Sequence, residues 1–418
     1  MTEEVRTRHG GSRVMDWIKP ILIAGLVVLV VAAAVIGFGL LDLRATTPHS
    51  KYFGNFIHMV FRRATSLQSA GVDVPGDLND PARIAIGAGH YANVCANCHG
   101  GPGFGQSPAM MSMSPRPPWL PAVKTMDDRE LFWIIKHGVM MSAMPGWTTQ
   151  KRDDEVWSMV AFVRTLPKQS PAMYRQLVEG GVEADVADAL PRIAFGPPTA
   201  PQTYKSFNSD IAQLTTNRFK TPVWGPGNIG RDDNPLATCA RCHGAAGRGR
   251  PEGGVPNLTA QTAEQLRQQL TDYATGKRES GVMQAVAVQL SPSQIDGVAR
   301  YYAALPPAAA VSASKAPVPD VDVTKCNGCH NVAAESALIY PQLRGQDRKY
   351  IAGQLRLFRD GTRAGVRGSR NMSKVASTLT DAQIEAYAQY FAAQTPVDPN
   401  NVASPLRDDL TKKPRPAE

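Results

Sequence analysis

From residue 20 to residue 41 the chain reads PILIAGLVVLVVAAAVIGFGLL, 22 residues without a charge. At about 1.5 Å per residue, a helix of that length reaches roughly 33 Å, enough for a bilayer core. The apolar stretch of a cleaved signal peptide is shorter, about 7–15 residues, and no clear small-x-small cleavage site follows before Asp42. The pattern therefore predicts an uncleaved, single-pass transmembrane helix over 20–41. Arg6, Arg8, Arg13 and Lys19 precede it, and this excess of basic residues keeps residues 1–19 cytoplasmic. Everything after Asp42 is then expected on the outer, oxidising side of the membrane.

Downstream, apolar positions recur with the helical period. The segments DRELFWIIKHG (128–138) and DDEVWSMVAFVRTL (153–166) read as amphipathic helices. Further on, VAVQLSPSQIDGVARYYAAL (286–305) matches VASTLTDAQIEAYAQYFAAQ (375–394) at an offset of 89. Each copy opens a helix with a capping box, Ser291 with Gln294 and Thr380 with Gln383. Pro292 occupies the first helical position, where its missing N–H costs nothing. Upstream, Gln269, Leu270, Tyr273, Gly276 and Arg278 match Gln354, Leu355, Phe358, Gly361 and Arg363. No alternating strand pattern of any length appears, so the fold class is all-α.

The expected organisation is a connector at 42–80, a first unit at 81–168, a linker at 169–205, a second unit at 206–305, a linker rich in Pro, Ala and Ser at 306–320 and a third unit at 321–395. The last two units are repeats of one another and the first is a looser relative. A tail follows at 396–418, whose end TKKPRPAE (411–418), charged and proline-bearing, reads as disordered. A length of 418 residues favours two to four domains, and 43% hydrophobic with 19% charged residues is the composition of a folded chain.

The six cysteines occupy three motifs, CANCH (95–99), CARCH (239–243) and CNGCH (326–330), one per unit. Two thiols three positions apart can add to the two vinyl groups of one haem, and the adjoining histidine ligates the iron from one side. Cys95, Cys98, Cys239, Cys242, Cys326 and Cys329 are thus the covalent haem attachments, and His99, His243 and His330 the first axial ligands of three c-type haems. A structural zinc site needs two such pairs brought together, whereas these pairs lie in separate units. A thioredoxin-like pair needs a βαβ surrounding, and plain disulfides would not require a histidine three times.

The second axial ligand follows by elimination. The second unit holds one methionine, Met283, and no histidine besides His243; the third holds Met372 and no histidine besides His330. Met283 and Met372 lie 40 and 42 residues beyond their histidines, each before the last helix of its unit. In the first unit Met144, 45 residues after His99 in SAMPGW, is favoured, with Met140 or Met141 as the alternatives. Met110, Met111 and Met113 sit too near the motif; His90 lies on the same segment as His99, and His137 ends a helix. The formal charge of +9 and a pI near 9.3 would ordinarily suggest anionic partners. Three haems bring about six propionates that offset most of it. Basic and aromatic residues nowhere alternate, so nucleic-acid binding is not expected.

These motifs resemble class I c-type cytochromes in three tandem copies. RELFWIIKHGVMMSAMPGW (129–147) resembles the distal segment of membrane-anchored bacterial cytochromes, where the methionine before proline is the ligand, and PQLRGQDRKYIAGQLRLFRDGTR (341–363) is similar to periplasmic dihaem cytochromes c. The triple arrangement resembles the cytochrome subunits of periplasmic alcohol and aldehyde dehydrogenases. The resemblance implies one transmembrane helix followed by three cytochrome c domains, held to the bacterial inner membrane with the haems in the periplasm. It implies an electron carrier rather than an enzyme. The donor would be a periplasmic dehydrogenase or a quinol-oxidising complex, and the acceptor an oxidase or a soluble cytochrome or cupredoxin. The linker at 169–205 would let the first unit shuttle or dock separately. A peroxidase-like haem enzyme with one open iron is the alternative, and a quinol oxidoreductase acting alone is disfavoured because helix 20–41 has no histidine. Mass spectrometry of the exported chain is expected to show the added mass of three porphyrins.

Overall fold

The computed structural model describes residues 12–179, 235–312, 318–330 and 340–399, apart from 42–43, 45–46, 48–49, 107, 124–125, 364 and 367. The start of the second unit (206–234), most of the expected linker at 169–205 and the tail beyond 399 lie outside the described residues. Among those described, the regular structure is helical, with a single isolated bridge between Gly101 and Phe104 and no strand.

Helix α1 (Ser12–Gly37) is apolar on every side beyond Lys19, and its stretch Ile18–Gly37 is long and apolar enough to cross a membrane. A helix apolar all round is at home in protein interior or lipid, and none of that stretch is buried in the protein. Helix α2 (Lys51–Ser69), N-capped by Ser50, occupies much of the expected connector.

The first unit begins with α3 (Pro81–His90), capped by Asp80 with proline at the first position. It continues through a π turn (Tyr91–Cys95) into the short α4 (Ala96–His99), followed by α5 (Pro108–Met111), α6 (Asp128–His137), α7 (Asp153–Val163) and α8 (Pro171–Glu179). The crossing of α3 over α7 needs glycine at 87, where a Cβ would meet the Ser158 backbone and Phe162 Cβ. Tyr91, Phe132, Trp157, Phe162 and Leu166 fill this core. Helix α8 falls at the start of the segment read as a linker, yet its Tyr174 is 4% exposed and packs edge-on against Tyr91 and Phe104.

The second unit holds α9 (Pro235–His243), α10 (Ala263–Ala274), α11 (Gly281–Ala287) and α12 (Pro292–Ala304); the third holds α13 (Thr324–His330), α14 (Arg348–Arg359), α15 (Ser369–Ala376) and α16 (Asp381–Ala392). Both capping boxes expected from the repeat are formed, and a third joins Thr262 to Gln265. The two units pack alike: α10 on α11 and α12, and α14 on α15 and α16. Leu236, Val298 and Tyr302 centre one core, Ile351, Ile384 and Phe391 the other.

Their junction repeats the same bonds from both sides. Gln346 Nε2 donates to Asn257 O (2.8 Å), and Gln261 Nε2 donates to Gln342 O (2.9 Å). Asn257 matches Gln342, and Gln261 matches Gln346, at one offset of 85 residues. The two units are therefore related by an approximate two-fold.

The first unit is docked on the second rather than free to shuttle. Glu155 of α7, 5% exposed, accepts from the Ser280 hydroxyl (2.5 Å) and the Gly281 amide (2.6 Å), and pairs with Arg152 (2.9 Å). Arg152 also donates to Glu279 O (2.8 Å). Burial pushes the Glu155 carboxyl up, while Arg152, the Ser280 hydroxyl and the Gly281 amide hold it back. Elsewhere on this junction Arg241 donates to Asn93 and Arg250 to Leu177 O, and Lys349 pairs with Asp80 across to the third unit. Removing one partner of a buried pair leaves the other uncompensated. Glu155→Ala is expected to cost about 3 kcal/mol, read as a lowered unfolding midpoint of the first two units.

Candidate haem sites

In each unit the cysteine motif ends a helix, which points the histidine ring out of the last turn. In the first two units a glycine follows directly, Gly100 at φ +65° and Gly244 at φ +73°, a left-handed conformation that glycine adopts without a Cβ penalty. The chain thereby turns back under the ring, and a proline carbonyl arrives beside it. His99 Nδ1 lies 2.8 Å from Pro118 O, His243 Nδ1 3.0 Å from Pro256 O, and His330 Nδ1 2.8 Å from Pro341 O. A carbonyl only accepts, so Nδ1 carries the proton in all three, and Nε2 presents its lone pair. Gln106 fixes the first of these loops, its Nε2 donating to Cys98 O (2.8 Å) and to Pro117 O (2.7 Å).

Burial pushes all three imidazoles down, against the opposing effect of their proline carbonyls, which keeps them neutral as metal ligands require. The Nε2 of His330 is buried without a partner among the described residues. Burial also pushes the Cys95 and Cys239 thiols up to about 12 and raises Cys98, Cys242 and Cys326. All six sulfurs are free of disulfides.

An open cavity of about 2410 Å³, walled mainly by the first unit with α2 and residues 275–289 of the second, brings Cys95, Cys98, His99 and Met144 together, against roughly 300–1,000 Å³ for an ordinary small-molecule pocket. Met140 and Met141 also reach that wall but are 91% and 92% exposed, and Met144 is half-buried. His137 is exposed beside Trp133. His90 is buried against the Trp147 ring at 4.7 Å, and burial pushes it down to about 4. Met283 and Met372 occupy equivalent places on the short helices α11 and α15, each packed on the long helix before it. Ser280 caps α11 by accepting from the Met283 amide (3.1 Å).

Between the second and third units lies a group that the repeat alignment contained without its role being evident. Arg278 stacks on Tyr273 and Arg363 on Phe358, with guanidinium carbons 4.6 and 4.5 Å from the ring centroids. Their side-chain hydrogen-bond partners are neutral: Gln269, Tyr350 and Gln354. Burial, then the facing Arg278, pushes Arg363 down to about 10, and its Nε is buried without a partner among the described residues. Buried cations are ordinarily paired. Two such guanidiniums fit the propionate carboxylates of haems, and Arg363 is close enough to His330 to lower it. Neutral imidazoles, paired thiols and buried unpaired cations together fit haem c in this chain.

Comparison with known proteins agrees. Residues 82–163 match the family model described as cytochrome c oxidase, cbb3-type, subunit III, and residues 236–305 match the cytochrome c family. A thiosulfate dehydrogenase electron acceptor of Thiomonas intermedia is 35% identical over 186 residues, which are 40% of this chain and 83% of that protein. The chain belongs to the c-type cytochromes.

A second thiosulfate dehydrogenase electron acceptor, from Stutzerimonas stutzeri, is 33% identical over 38% of this cytochrome and 80% of the relative. Cytochrome c4 of Pseudomonas aeruginosa is 29% identical over 37% and 83%. This cytochrome carries three haem c groups and transfers electrons. Replacing Arg363 by glutamine withdraws a positive charge that favours the reduced iron. The potential of the third haem is expected to fall by about 40 mV, equivalent to about 1 kcal/mol, in spectroelectrochemical titration.

Proposed function

We propose that this cytochrome is a membrane-tethered, three-haem electron wire on the periplasmic face, with domains at 81–168, 206–305 and 321–395. It would receive electrons from a periplasmic dehydrogenase or a quinol-oxidising complex and pass them to an oxidase, a soluble cytochrome or a cupredoxin. The observation that carries the reading is the threefold arrangement of a neutral histidine, buried at His243 and half-buried at His99 and His330, held by a proline carbonyl after a paired-cysteine motif. Two relatives are named as electron acceptors of thiosulfate dehydrogenase, which supports a dehydrogenase as donor. Helix α1 supports the tether and the single-pass placement in the inner membrane.

Bound haem supplies a one-electron iron couple. The chain's own residues do the rest. Cys95 and Cys98, Cys239 and Cys242, and Cys326 and Cys329 hold the three groups covalently. His99, His243 and His330 would offer Nε2 to the iron, and Met144, Met283 and Met372 would offer it a thioether sulfur. Histidine and methionine donors together would leave substrate no place on the metal, which favours a carrier over a haem enzyme. The fixed Nδ1–H bonds keep the imidazoles from turning, and low-dielectric surroundings limit solvent rearrangement when an electron arrives.

Met283 and Met372 are the sole methionines of their units. Met283→Ala and Met372→Ala are each expected to abolish the sulfur-to-iron charge-transfer band of one haem and leave the other two low-spin, in near-infrared absorption and magnetic circular dichroism. Retention of all three bands in either variant would remove the axial assignment.

A further inference from the structure

Helix α2 is divided along its length. Its second half is fastened to the first unit: Thr65 and Ser69 are buried, and the helix packs on α6. Its first half (51–60) has no buried residue, yet six of those ten positions are Tyr52, Phe53, Phe56, Ile57, Met59 and Val60. Tyr52 is 90% exposed. Phe53, Ile57 and Val60 stand on the rim of the first haem cavity, where they join Met140 and Met141 in one apolar surface. Met141 is held at φ +61°, a left-handed conformation uncommon for a residue with a side chain. An apolar surface of this extent on a water-exposed protein marks a place of contact.

Two further observations select what it contacts. Thirteen residues separate Gly37 at the end of α1 from Lys51. Fully extended they reach roughly 45 Å, so α2 stays near the membrane that α1 spans. In addition, residues 43–71 contain Arg44, Lys51, Arg62 and Arg63 and not one Asp or Glu. Basic charge beside an aromatic face is the composition of a helix lying among anionic headgroups.

We propose that the first half of α2 and the Met140–Met141 turn lie in the headgroup layer of the bilayer, so that the cavity of the first haem unit opens at the membrane surface. This rests on the reading of α1 as an anchor. It makes the first haem the point of exchange with membrane-borne redox partners, because the membrane itself orients the cavity mouth.

The test uses the full-length, haem-loaded chain in nanodiscs containing phosphatidylglycerol. The six native cysteines are consumed by haem, so Phe56→Cys, Met141→Cys and, as a control in the third unit, Asp360→Cys each provide a single site for a nitroxide label. Unchanged haem spectra show that each variant is folded. Power-saturation electron paramagnetic resonance is expected to give labels at 56 and 141 a several-fold higher ratio of oxygen to aqueous nickel-chelate accessibility than the label at 360. Equal ratios at all three positions would overturn the proposal. So would protection at 56 and 141 seen only in native membranes and never in pure lipid, which would identify a protein partner. Alkaline washing of native membranes separates the two readings. Release of the chain sinks the anchor, whereas retention with water-exposed labels sinks only the placement of α2.

Discussion

An imidazole can offer one nitrogen to a metal while the other keeps its proton, and a partner for that proton fixes the tautomer and the ring; in this chain the partner is a proline carbonyl. It occurs three times, at Pro118, Pro256 and Pro341. The surrounding architecture serves it. The helix ends at the histidine, Gly100 or Gly244 reverses the chain in the first two units, and a proline-bearing loop returns beneath the ring. Proline suits this place because its own nitrogen has no hydrogen to satisfy and its φ is fixed. The carbonyl is then offered in one direction with little entropy left to lose.

Charge is arranged with equal economy. The three units meet around Arg152, Arg278 and Arg363, and among the described residues only the first of these has carboxylate partners. The Arg152–Glu155 pair locks the first unit to the loop that precedes α11, while the other two guanidiniums lean on aromatic rings and neutral amides. A guanidinium without a counter-charge opposes its own burial, which suits these two to anionic groups.

Much of this was legible in the sequence because the signals are local. The capping boxes at Ser291 and Thr380, the helical periods and the three motifs each depend on residues within a few positions of one another. What was not legible depends on contacts between distant residues. Glu155 is an ordinary acid in the first turn of a helix until Ser280 and Gly281 meet it from another unit. Helix α8 reads as linker because it is short and the segment that holds it carries little periodicity, and it is the contact of Tyr174 with Tyr91 and Phe104, with Val178 buried beside them, that assigns it to the first core. Arg278 and Arg363 could be aligned as repeats, but nothing in an alignment says that both are buried and face each other.

The approximate two-fold between the second and third units has an electronic corollary. Two similar halves, with matching cation–π pairs and reciprocal amide bonds, give their haem sites related surroundings. Likeness of the two sites by itself sets no preferred direction for an electron between them. A vector has to come from whatever breaks the symmetry, and the largest such element is the first unit, whose buried Glu155 grips the second unit at Ser280 and Gly281, with no counterpart on the third among the described residues. Rectification in this molecule would then be a property of how a third body leans on a balanced pair.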